Sequence, residues 1–99
     1  MSVALENIVY NDLIGKDYKV YIGKTKKGEI DFVAIKNNMT KYIQVCYDLS
    51  NNKTREREYT AFSEFNSNEK YIITFDKNNY GIQGINIINI FEFLMNDDF

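Results

Sequence analysis

The chain has 99 residues, 44% of them hydrophobic and 15% aromatic, with a formal net charge of −2, no histidine, no proline and one cysteine. Such a composition suits one packed domain with a modest core rather than disorder. It excludes Ser-His and Cys-His nucleophile systems, imidazole metal sites, thiolate zinc clusters and any internal disulfide, and it offers no overall field to draw the domain onto nucleic acid or an anionic membrane.

The first segment, VALENIVYNDLIG, places Val3, Leu5, Ile8, Val9, Leu13 and Ile14 at helical spacing. Ser2 is a candidate N-cap and Gly15 a candidate end. The same segment has no basic leader region and is interrupted by Glu6, Asn7 and Asn11, so it does not read as a signal peptide. No apolar run approaches the roughly 18 residues that would span a bilayer. YKVYIG reads as a short strand, followed by the basic turn GKTKKG. Gly23, Lys24 and Thr25 look like the end of a phosphate-binding loop, but Tyr18 occupies the position of its first glycine and a strand follows where a helix is required. That motif is rejected. The lysines, Lys24 among them, remain candidates for phosphate-backbone contact.

EIDFVAIK and KYIQVCY read as two strands joined by the turn NNMT. Their nearly continuous apolar runs suit central strands covered on both faces. Asp31 lies inside the first run, where a carboxylate is costly to bury unless it is paired or metal-bound. Alternation puts Tyr42, Gln44 and Cys46 on one face of the second strand and Lys41 on the other. Asp48, Ser50, Asn51 and Asn52 offer caps for a helix expected from about Lys53 to Phe65, with Tyr59, Phe62 and Phe65 at spacings of three. Arg55 and Tyr59 are four apart and can share a face of that helix, though REREY as a whole reads as a solvated charge run. EKYIITFD and INIINI are further strands around the turn KNNYGIQG, and FEFLMNDD is a short terminal helix or tail. The order α-β-β-β-α-β-β-(α) predicts a single α+β domain with a mixed sheet and helices on its faces.

Asp31, a dozen residues and then two facing positions on the next strand resemble the layout of the PD-(D/E)xK nuclease superfamily. That resemblance implies a restriction-endonuclease-like αβββαβ core over residues 1–99. Glu6 matches the acid of the first helix and Asp31 the metal-binding aspartate of the second strand. Gln44 stands at the acidic position of the third motif and Cys46 at its lysine position. A Mg²⁺ ion, if bound, would be held by Asp31, Glu6 and Gln44. The segments LENIVYNDL, KGEIDFVAIK, YIQVCYDL, TREREY and INIINIFEFL are similar, more narrowly, to the nuclease-like C-terminal domain of prokaryotic predicted AAA-type ATPases, a domain of unknown function.

On that resemblance the chain is a C-terminal fragment of a larger ATPase or a stand-alone relative, with the N-terminal ATPase module as its partner and DNA as a second contact; the lone Cys46 suits a reducing cytoplasm. Lys24, Arg55 and Tyr59 are the candidate binding residues. Gln44 brings no charge to a metal, and Cys46 cannot stabilise an attacking water or a developing phosphorane as lysine does. The implied function is a catalytically degenerate domain that binds or regulates. The alternative is an active Mg²⁺-dependent DNA endonuclease with a non-standard third motif.

Overall fold

A computed structural model describes residues 3–26, 28–77, 81 and 84–99. The candidate cap Ser2 and most of the turn KNNYGIQG lie outside the described residues, as does Lys27. The first helix, α1, spans Val3–Gly15 and buries Leu5, Val9 and Leu13 along one stripe. It closes with Asp17 in the left-handed region at φ 70° and a bond from the Tyr18 amide to the Leu13 carbonyl. Three strands follow, β1 (Lys19–Thr25), β2 (Gly28–Lys36) and β3 (Met39–Cys46). The basic segment after Tyr18 is therefore more strand than turn, with its tip between Thr25 and Gly28. Asn37 and Asn38 form the two-residue β2–β3 turn with φ of 52° and 64°. Positive φ at both positions matches the twist of antiparallel strands, and Asn tolerates it best after Gly.

Helix α2 (Asn52–Ala61) is capped by Asn51, whose side chain accepts from the amides of Lys53 and Thr54. It is shorter than expected, because the chain turns after Phe62 and brings Phe65 back onto the sheet. There Phe65 stacks on Tyr42 with ring centroids 4.2 Å apart. Strands β4 (Lys70–Thr74) and β5 (Asn86–Asn89) and helix α3 (Ile90–Met95) complete the order α-β-β-β-α-β-β-α.

The five strands form one mixed sheet in the order β1-β2-β3-β4-β5, antiparallel from β1 to β3 and parallel from β3 to β5. Both faces are covered, as the continuous apolar runs of β2 and β3 require. On one face Leu5, Val9 and Leu13 of α1 meet Ile90 and Phe93 of α3, Phe99, and the sheet residues Phe32, Ala34, Ile43 and Val45. On the other, Ala61 of α2 and its C-cap Phe62 meet Leu49, Ile30, Cys46 and Ile72. The buried Lys41 lies on the α1–α3 face. Its Nζ donates to the Phe99 carbonyl at 2.6 Å and sits 4.0 Å from the Phe99 ring centroid.

Two irregularities meet at one point of the sheet. Between Tyr21↔Val33 and Gly23↔Ile30 the first strand advances two positions while the second advances three. Strand β2 therefore carries a bulge that spans Asp31 and Phe32. The bulge explains why Ile30 faces α2 together with Val33, whereas Phe32 and Ala34 face α1. Gly23 lies directly against it: a Cβ there would fall 2.8 Å from Val33 Cγ2 and 3.1 Å from Ile30 Cβ. On the other side, the β2–β3 ladder runs from Lys36↔Met39 to Phe32↔Ile43 and stops short of Asp31.

Candidate functional site

Where β2 and β3 part, side chains take over from the ladder. The Asp31 amide donates to Gln44 Oε1 at 2.7 Å, and the Val45 amide donates to Asp31 Oδ2 at 2.8 Å. Gln44 Nε2 reaches the Glu29 carbonyl at 3.5 Å. These bonds satisfy backbone groups that the splayed strands would otherwise leave unpaired. They also account for a glutamine in an apolar strand, since its amide stands in for a missing pair of backbone bonds.

The gap opens into a cleft of about 360 Å³ whose lining includes Glu6, Glu29, Asp31, Gln44, Arg57 and Glu58. Four carboxyl groups therefore share one cleft. Glu6 comes from α1, Glu29 and Asp31 from β2, and Glu58 from α2. Burial pushes the Asp31 carboxyl up to about 6, against the pull of the Val45 amide, with Glu6 and Glu29 adding repulsion. Burial likewise pushes Glu58 up to about 7, and the charge on Asp31 adds to it. The order makes physical sense: Asp31 ionises first, and Glu58 then loses its proton against that charge. Arg57 gives Glu58 little relief, since its Nε is 3.8 Å from Oε2 and its side chain is 73% exposed. Glu58 Oε1 is buried without a hydrogen-bond partner among the described residues.

The structure thus brings Glu6, Asp31 and Gln44 to one cleft and leaves Cys46 out of its lining. Cys46 packs instead with Leu49, Phe62 and Ile72, and its Sγ contacts the Asp48 carbonyl at 3.4 Å. Burial, with Glu58 second, pushes the thiol up and holds it protonated. Asp31 and Gln44 share the cleft, whereas Cys46 lies beneath α2 and lines a neighbouring pocket with Arg57 and Glu58. None of the other candidate binding residues reaches the cleft. Arg55 is turned back on its own helix start, donating to the carbonyls of Leu49 and Ser50. Tyr59 packs into the α2-side core with its hydroxyl buried and its acidity weakened by burial. Lys24 is exposed on β1. Lys36 is committed elsewhere, donating to the Lys16 carbonyl at 2.9 Å beside the Tyr18 ring.

Glu58 is the cleft residue that sequence reasoning misses. It sits in REREY, which reads as a solvated charge run, yet the spacing holds a signal. Thr54, Glu58 and Ala61 follow at i, i+4 and i+7, and Phe62 lies four beyond Glu58. That stripe is the face α2 turns inward.

The donor set does not fit a resident Mg²⁺. Among the described residues no group of three or more His, Cys, Asp or Glu side chains is close enough to hold an ion. The Gln44 carbonyl oxygen and one oxygen of Asp31 are already engaged by backbone amides. Among the described residues, no helix is long and apolar enough to cross a membrane.

Comparison with known proteins adds a family. The chain is 32% identical over 93 residues to a protein of Haemophilus influenzae described as "Uncharacterized protein", covering 92% of this chain and 22% of the relative. The chain therefore spans about a fifth of the length of that relative. No solved structure gave a significant match. The family described as "Domain of unknown function (DUF4143)" matches residues 3–93, and the chain belongs to it.

Proposed function

We propose that this domain is a nuclease-like module of the restriction-endonuclease-like type that does not cut, and that it serves a longer ATPase-bearing polypeptide as a binding or regulatory part that contacts DNA. The observation that carries the reading is the cleft between β2 and β3. Its lining joins a first-helix acid, Glu6, a second-strand acid, Asp31, and a third-strand polar residue, Gln44, and this set supports the nuclease-like reading. Yet the polar atoms of that third position tie strands together, and among the described residues no lysine lines the cleft. Phosphodiester hydrolysis needs a polarised water and a cation against the developing charge. Arg57 is the cation at hand, and its guanidinium is mostly in solvent beside Glu58. The membership of a longer polypeptide draws support from the relative, of which the matched segment is 22%.

The test is incubation of pure protein with supercoiled plasmid and Mg²⁺ or Mn²⁺, alongside a DNA-binding titration at low salt. The expected result is intact plasmid with measurable, salt-sensitive binding. Nicking that disappears in Asp31→Ala would establish the active endonuclease instead. Absence of both binding and nicking would remove DNA from the proposal.

A further inference from the structure

Strand β1 is one edge of the sheet, and its outer rim meets no further strand among the described residues. Such a rim presents backbone N–H and C=O groups to any chain that can lie alongside. Two neighbouring residues on it are large and bare: Tyr21 is 55% exposed and Ile22 66%. Beside the rim, α1 and β1 enclose a groove of about 330 Å³ lined by Glu6, Asn7, Tyr10, Val20, Ile22 and Phe32. Helix α1 also exposes Val3, Ile8, Tyr10 and Ile14, interleaved with Asn7 and Asn11.

Charge says what kind of cover. Lys19, Lys24 and Lys26 are exposed at the two ends of the bare pair, and none is in an ion pair among the described residues. Lys24 stands opposite Glu29 in the ladder without closing a bridge. Lysines often guard an edge against pairing, and here they flank two adjacent bare apolar residues. The other edge, β5, carries no charged residue at all.

We propose that the β1 edge and the α1–β1 groove dock an extended acidic–aliphatic segment of a partner protein, which adds to the sheet as a sixth strand. Its aliphatic side chains enter the groove beside Ile22 and Phe32, and its carboxylates, on the alternate face, meet Lys19. Pairing of two copies through β1 is disfavoured because it would gather the three lysines of each copy on one seam. Seven residues of strand extend over about 23 Å, so the footprint is about seven residues of partner.

The experiment uses a fluorescein-labelled heptapeptide that alternates glutamate with valine, titrated with the purified protein and followed by anisotropy. Binding is expected, with slowed amide exchange along β1. Replacing the central valine by proline, which removes a ladder donor, should abolish it. Ile22→Thr should weaken binding about tenfold through the lost apolar contact. Lys19→Glu should weaken it several-fold at low salt and flatten its salt dependence. Both side chains are exposed, and circular dichroism checks that each variant folds. Equal affinity for the proline peptide, or indifference to Ile22→Thr, would overturn the proposal. So would a dimer that Ile22→Thr abolishes, or a single-stranded oligonucleotide that binds where the peptide does not.

Discussion

Replacing Glu58 by glutamine tests whether the cleft is electrostatically strained. The carboxyl rises from its ordinary 4.5 to about 7, chiefly because burial disfavours its charge and secondly because Asp31 lies near. Between those two values the folded chain keeps a proton that the unfolded chain has released. Stability attributable to this group therefore falls as pH rises across the window, and the full penalty is present above pH 7. At about 1.36 kcal/mol per unit the ceiling is about 3.4 kcal/mol, and partial solvent access reduces the expectation to about 1–2 kcal/mol. Glu58→Gln keeps the shape and removes the charge. At pH 8 it should raise stability by that amount, equivalent to a gain of about 5 °C or more in Tm for a domain of this size. At pH 4.5, where Glu58 is protonated in the fold, the gain should nearly vanish. Urea denaturation followed by circular dichroism at both pH values measures the difference. A variant no more stable than the wild type at pH 8, or one equally stabilised at both pH values, would refute the reasoning.

Three further outcomes follow from particular contacts. At pH 5, where burial keeps Asp31 largely protonated in the fold, Asp31→Ala strips the acceptor from the Val45 amide and should cost about 1–3 kcal/mol in denaturant unfolding, whereas Asp31→Asn keeps an acceptor and should cost much less. Gly23→Ala forces a methyl to within 2.8 Å of Val33 and 3.1 Å of Ile30, so it should destabilise by about 1–3 kcal/mol and weaken amide protection along β1 and β2 in hydrogen exchange. Lys41→Met removes a buried cation from the Phe99 carbonyl and from the rings of Phe99, Tyr18 and Tyr71. It should lower Tm and loosen residues 96–99 in hydrogen exchange, since hydrogen bonds from charged groups contribute about 1.5–3 kcal/mol. Unchanged protection of that segment would show that Phe99 is held by packing and by Tyr18 alone.

Sequence by itself determined the order of elements, because each carries its own period and its own caps. The continuous apolar runs of EIDFVAIK and KYIQVCY, the helical stripe of α1 and the capping side chain of Asn51 are local facts, and the structure repeats them. It also singled out Asp31 and Gln44 as polar residues in apolar runs, and put Lys41 on the far face, because a strand's side chains alternate whatever its neighbours are. Tertiary structure alone decided what those residues meet. The bulge in β2 and the early end of its ladder with β3 depend on where two strands diverge, and only there does Gln44 become a bridge. Glu58 looks solvated in a charge run until α2 lies down on the sheet and turns it toward Asp31. Cys46 is two residues from Gln44 yet sits in another environment, because α2 covers one position and leaves the other at the gap. Local propensity acts along the chain, whereas burial and field act across it, and a site assembled from α1, β2, β3 and α2 belongs to the second kind.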